Sequence, residues 1–291
     1  MRTVLPKFIL NQIKKDKKIF VLLGDIGVHG FKEVFEKYKK NILNVGILEQ
    51  SMISFASGLA MENRIPFVHT IAPFIVNRAY EQIKIDLCYQ NLNVNLVSVG
   101  GSLDYAALGS THHCPEDIGI LVKLPNIKIY CPGNQIELLK LLNYYKIPGP
   151  KYFRLSNYTH NLSINTSNKG TLIKKGKKGL IIVIGPALRF IEKYYQTINA
   201  NILYLNIVKP LNNEILLKYY HKNIIILQDF YNNSITGEII SVFKDKDFRL
   251  CEIGLPNKFF LNYGDSEQHY NSLKLSPQAV RKKISNFLNL D

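Results

Sequence analysis

The sequence predicts an α/β protein built as two units. A parallel-sheet domain is expected over residues 1–156, a linker over 157–178 and a smaller α/β domain over 179–291. Two observations carry this. Short apolar, β-rich runs alternate with segments of helical length and spacing, the pattern of a parallel sheet covered on both faces. The alternation then breaks at "RLSNYTHNLSINTSNKGTLIKKGKKG", which is polar, rich in Asn, Ser and Thr and without strong periodicity, and it resumes beyond it.

Taken in order, "MRTVLPKFILNQIKKDKK" spreads Lys among apolar residues and lacks a small-residue cleavage site, so it reads as an amphipathic helix and not as a signal peptide. "KKIFVLLGD", "PFVHT", "NVNLVSVG" and "NIKIYCPG" read as strands. "LEQSMISFASGLAMEN" and "APFIVNRAYEQIKIDLCYQN" read as helices between them. The second set runs "LIIVIG", "ALRFIEKYYQTI", "NILYLNI", "NEILLKYY", "NIIILQDF", "TGEIISVFK" and "FRLCEIG". The closing "SPQAVRKKISNFL" starts with Ser276 and Pro277, a good helix opening.

A chain of 291 residues that is 46% hydrophobic can fill two ordinary cores. No apolar run approaches the ~20 residues of a membrane helix. Cys88, Cys114, Cys131 and Cys251 show no CxxC pairing, which predicts reduced thiols, a cytoplasmic setting and neither a disulfide framework nor a structural zinc. The net charge of +15 comes from small Lys groups scattered along the chain, with no continuous basic stripe and no nucleic-acid motif. Such a charge attracts anionic small molecules or an acidic partner subunit.

One acid stands out. Glu49, in "NVGILEQSMISFASGLA", sits in an otherwise apolar run after the short strand "ILNVGI". A carboxylate opening a helix is favoured by the helix dipole by roughly 0.3–1 kcal/mol, which alone accounts for many such residues. Here small residues follow it at Ser54, Ala56, Ser57, Gly58 and Ala60, so another backbone or a ligand can come close. The end of a strand in an open parallel sheet is where such sheets bind ligands.

With these stretches go "PFVHTIAPFIVNRAYEQIKIDLCYQNLNV", "GSTHHCPEDIGILVKLPNIKIYCPGNQIE" and, near the end, "IGLPNKFFLNYGDSEQHYNSLKLSPQAV". In this order they resemble the transketolase family, and specifically the C-terminal subunit of a split transketolase. The resemblance is densest over residues ~2–155. It implies a thiamine-diphosphate pyrimidine-binding domain followed by a transketolase C-terminal domain, and two-carbon ketol transfer between sugars. It implies that Glu49 hydrogen-bonds the aminopyrimidine ring of the coenzyme and promotes its activation. An apolar surround that raises the carboxyl pKa would let it hold that proton near neutral pH.

By the same resemblance Phe74 supplies an aromatic surface to the pyrimidine, while Ile71 and Asn77 stand where relatives carry further aromatics. His112, in the "GSTH" loop, lies beside the donor's reacting hydroxyls and can move a proton. Arg78, Glu81, Gln82 and Asp86 read as a helix-fixing and interface network. His113 stands where relatives have Gln, and the helix start after Pro115 suffices to explain Glu116 and Asp117.

The donor side departs from the family. Leu108 replaces an Asp that contacts a donor hydroxyl, Gly100 a phosphate-contacting His, and Asn157 a phosphate-binding Arg. Arg2 matches a phosphate-contacting Arg, twenty-three residues before Asp25, and His29 falls where a Ser helps hold phosphate. A neutral Asn cannot replace a guanidinium fork. The donor is therefore either an ordinary ketose phosphate held by Arg2 and His29 or a modified or nucleotide-linked sugar.

The family's diphosphate motif, "GDG" followed about 25–30 residues later by "NN", does not occur. The resemblance thus implies an N-terminal partner subunit that holds the diphosphate and Mg²⁺, in a heterotetramer. The β subunit of a 2-oxoacid dehydrogenase and a non-catalytic regulatory subunit are the alternatives.

Overall fold

The computed structural model describes residues 1–289. Helix α1 (Val4–Lys15) leads into strand β1 (Ile19–Leu23). After α2 (Lys32–Lys37) come β2 (Ile42–Asn44) and α3 (Glu49–Met61). Strands β3 (Ile65–Ile71), β4 (Asn95–Val99), β5 (Lys128–Tyr130) and β6 (Lys151–Arg154) follow, then β7 (Thr171–Lys174), β8 (Leu180–Ile184), β9 (Asn201–Leu205), β10 (Ile207–Lys209), β11 (Asn223–Tyr231) and β12 (Arg249–Leu255). Helix Pro277–Asn289 closes the described chain.

The first sheet has the order β10-β5-β6-β4-β3-β1-β2. Its strands run parallel, except that β10 is antiparallel to β5. Strands β3 and β4 are buried along their whole length, as expected of a sheet covered on both faces. The second sheet, β12-β11-β8-β9-β7, is parallel apart from β7.

Three features differ from the sequence reading. The stretch expected as a linker, 157–178, contains β7, an edge strand whose half-buried Thr and Lys residues hide its periodicity. Strand β6 has no apolar signature, because Lys151 and Arg154 at its ends are polar although both are buried. The segment 74–89 is helical, but it winds through two π-helical stretches, Phe74–Arg78 and Ile83–Tyr89, around the short α-turn Tyr80–Gln82. Widened turns re-aim side chains and recur at functional sites.

A buried ionic chain joins the two halves. Arg154 is fully buried and bonds Asp117 at 2.8 Å and Asp229 at 3.2 Å, and Asp229 also accepts from Arg189 at 3.2 Å. Ser102 bonds both Arg154 and the carbonyl of Asp229. Asp117 does open the helix Asp117–Leu121, yet a helix start does not account for it, since it is the counterion of a buried guanidinium. Cys88, Cys114, Cys131 and Cys251 are all unbridged. Among the described residues no helix is long and apolar enough to cross a membrane.

Candidate active site

The C-terminal ends of β1, β2, β3, β4 and β6 lie side by side, and the loops that leave them carry almost every residue singled out in the sequence. Asp25 and His29 follow β1, Glu49 follows β2, Ile71 and Phe74 close β3, Gly100, Leu108 and His112 follow β4, and Asn157 follows β6. This is the crevice where open parallel sheets bind ligands.

Glu49 is the first residue of α3 and is 1% exposed. Its surround is not apolar. Arg78 Nη1 donates to Oε2 at 2.6 Å, and Thr70 Oγ1 lies 3.5 Å from Oε1. Arg78 therefore belongs to the site and does more than fix its helix. Its guanidinium also lies 4.4 Å from the centroid of the Phe74 ring, and that ring meets His112 edge-on at 5.3 Å and 72°. Glu49, Arg78, Phe74 and His112 thus form a contiguous row of acid, cation, aromatic face and imidazole. Sequence reasoning missed Arg78 in this role because a regular helix gives no sign of which residue a π-turn will aim at the acid.

The other residues fall around this row. Asn77 is exposed and donates to Glu116 Oε1 at 2.5 Å, tying the 74–89 segment to the loop that bears His112. Ile71 is buried at the end of β3, and its Cγ2 would stand 3.3 Å from a Cβ placed on Gly100. His112 is half-buried, with Nδ1 3.0 Å from Thr111 Oγ1. His113 is turned inward to the Ala106 carbonyl, and burial lowers its pKa. Asp86 accepts from Ser54 Oγ at 2.6 Å, a contact between the 74–89 segment and α3 of the helix-fixing kind.

On the donor side, Arg2 and His29 line one cavity. Asp25, with φ +57°, exchanges two hydrogen bonds with Asn44 and shapes the turn after β1. Leu108 is 53% exposed and offers no polar group. Gly100 has φ +82°, and a Cβ there would overlap the Tyr105 ring, so a histidine at this position would strain the backbone and displace that ring. Asn157 is exposed, and its amide donates to Asp104 Oδ2 at 2.8 Å, while Ser156 Oγ donates to Oδ1 at 3.0 Å. Burial pushes the Asp104 carboxyl up to about 7 despite these bonds.

Comparison with known proteins gives a consistent result. The family model for the transketolase pyrimidine binding domain matches residues 1–158. A 33.6 kDa protein of the fasciation locus of Rhodococcoides fascians is 29% identical, with 99% of this chain and 95% of that protein aligned. One of the subunits of the apulose-4-phosphate transketolase of Actinobacillus succinogenes is 28% identical over 71% of this chain and 70% of its own length. The 1-deoxy-D-xylulose-5-phosphate synthase of Lawsonia intracellularis is 28% identical over 98% of this chain, which spans about half of that enzyme (48%). A solved split gene transketolase, in an inactive β4 tetramer, superposes with a TM-score of 0.84 at 23% identity, covering 99% of this chain and 98% of its own.

Proposed function

Because this chain belongs to the transketolase pyrimidine-binding domain family, we propose that it is the C-terminal subunit of a two-chain, thiamine-diphosphate-dependent transferase that moves a two-carbon ketol unit between sugars. The carrying observation is Glu49, a carboxylate buried at the crevice and linked through Arg78 to the Phe74 ring, which in turn meets His112. These residues fit the pyrimidine half of the coenzyme, since a sheltered acid can share a proton with a ring nitrogen while an aromatic face packs against the ring. Bound thiamine diphosphate supplies a nucleophilic carbon that takes up the two-carbon unit.

The chain's own part rests on these side chains. Glu49 holds or gives a proton at the heterocycle, and Arg78 is the cation that makes its burial tolerable until then. Phe74 orients the ring. His112 reaches the reacting hydroxyls and moves a proton there. A partner subunit holds the diphosphate and Mg²⁺. The division of the Actinobacillus succinogenes relative into subunits and the likeness to a split gene transketolase support this. Arg2, His29 and Asp25 face the far end of the sugar, while Leu108 and Asn157 remove contacts that common donors use.

The test is to assemble the chain with its N-terminal partner, thiamine diphosphate and Mg²⁺ and to screen ketose donors. Glu49→Ala should lower turnover by about 10²–10⁴ with an unchanged circular dichroism spectrum. Activity within twofold of the parent would refute the assignment. Acyl transfer to a lipoyl group, or no turnover with the coenzyme bound, would favour the 2-oxoacid dehydrogenase or regulatory alternative. The similarity to a 1-deoxy-D-xylulose-5-phosphate synthase adds to the screen donors whose transferred unit would give a 1-deoxy sugar.

A further inference from the structure

The loop after β4 carries His112, and its neck is closed by two backbone bonds between Ser102 and Cys114, at 3.0 and 2.9 Å. Beyond the neck, the Gly109 carbonyl accepts from the His112 amide at 3.0 Å and closes a turn. His112 therefore stands wherever this turn is held. A loop tip outside any sheet ladder opens easily unless other elements pack on it.

The second unit packs on this loop at four points. The Tyr263 ring lies over Gly109, where a Cβ would stand 3.1 Å from it. Gly109 has φ +75°, so the glycine both makes the turn and seats the ring. Ser110 Oγ donates to the Phe260 carbonyl at 2.7 Å. The buried His113 ring, next to His112 in the chain, meets the rings of Phe260 at 6.1 Å and His269 at 5.6 Å. Ser266 Oγ, also buried, donates to the Leu103 carbonyl near the neck.

The four contacts come from one short, well-fixed segment. The helix Ser266–Ser272 carries Ser266 and His269 and opens on a capping box between Asp265 and Gln268. Tyr263 precedes it, and the Lys258 carbonyl accepts from the Tyr231 hydroxyl of β11 at 2.9 Å. Tyr263 is 80% exposed, so its ring adds little to the core of the second unit. His269 Nε2 has no hydrogen-bond partner among the described residues, so this residue meets the loop through the shape of its ring. From the first unit, the Phe74 ring meets His112 on the other side.

We propose that the segment 260–269 of the second unit sets the position of His112 against the reacting hydroxyls. Phe260, Tyr263, Ser266 and His269 are positioning residues that act through the turn Gly109–His112. This rests on the sugar-transfer reading and brings the second unit into the working of the active site.

Hydrogen exchange of the full-length chain, read by mass spectrometry, and ketol-transfer kinetics of the assembled enzyme test this in Tyr263→Ala and Ser266→Ala. Tyr263 is exposed, so its exchange for Ala leaves the fold intact even where loss of the buried Ser266 hydroxyl does not. In both variants exchange across residues 106–113 should quicken while that of β4 stays as in the parent. In the assembled enzyme kcat should fall about tenfold or more with KM within about twofold, since a displaced imidazole costs the proton transfer and not the binding. Tyr263→Phe keeps the ring and should recover most of both. A lower urea midpoint with unchanged exchange across 106–113 would mark contacts that only join the units and overturn the proposal, as would a Phe variant no better than the Ala one. Quickened exchange in a complex that transfers no ketol unit would keep the hold on the loop and refute the transfer reading. Ketol transfer at the parent's kcat in Tyr263→Ala would keep that reading and overturn the proposal.

Discussion

Removing the guanidinium of Arg78 leaves Glu49 as a carboxylate with 1% exposure and no cation. A fully buried pair broken in this way loses about 3–5 kcal/mol, but Arg78 is 40% exposed and its pairing is partly screened. Arg78→Ala should therefore cost about 1–3 kcal/mol in urea unfolding. In Glu49→Gln/Arg78→Ala the two costs should be clearly less than additive, since the second change removes the charge that the first strands. Asp104 gives a pH signature. Its folded pKa of about 7 lies above that of an unfolded carboxyl, so the native state binds the extra proton. Its contribution is greatest below about pH 4 and is lost as pH rises through 7. Asp104→Asn, which keeps an acceptor but has no charge, should gain stability relative to the parent from about pH 4 to about pH 7 and level off above that. Chemical denaturation at several pH values measures this, and a difference independent of pH would refute it. Glu49 itself was legible in the sequence, because one acid among apolar residues at a strand end demands a reason. Arg78 as its partner was not, because contact across a π-turn leaves no trace in residue spacing.

At the scale of elements, the junction of β4 with its following loop explains why one departure from the family is not reversible by a single exchange. Gly100→Ala must adopt a left-handed backbone and meet the Tyr105 ring. A loss of about 1–3 kcal/mol is expected, read from the denaturation midpoint. Exchanging Tyr105 for a small residue in the same chain should recover the steric part and leave the backbone part. Strands β1, β3, β4, β8, β9 and β11 could be read from their continuous apolar runs, which is how strands buried on both faces appear. Strands β6 and β7 could not, for opposite reasons. The polar ends of β6 are interior because Lys151 finds Asn93 and Gly149 at 2.5 and 2.6 Å and Arg154 finds two carboxylates. Strand β7 is an edge strand, half-exposed and rich in Thr and Lys. Pairing partners far along the chain decide both, and local composition does not contain them.

For the molecule as a whole, Arg154 is the joint between the two sheets. From β6 of the first it reaches Asp117 at the start of the helix Asp117–Leu121 and Asp229 in β11 of the second, with Arg189 closing the row. Arg154→Ala leaves two buried acids with one remaining cation and should cost about 3–5 kcal/mol. It should also split a single calorimetric transition into two. One undivided transition at unchanged temperature would show that apolar packing alone couples the halves. A break in alternation was visible in the sequence, but the passage of a later strand back to the first sheet was not. Strand β10 lies beyond β7, β8 and β9 in the chain, yet it borders β5 in the first sheet. A polypeptide ending near residue 160 would consequently leave the Lys128–Tyr130 margin with bare amides and carbonyls, a template for self-association. The strip that guards this margin is encoded far downstream, at Ile207–Lys209. Synthesis must proceed well into the second unit before the first is safe from its neighbours.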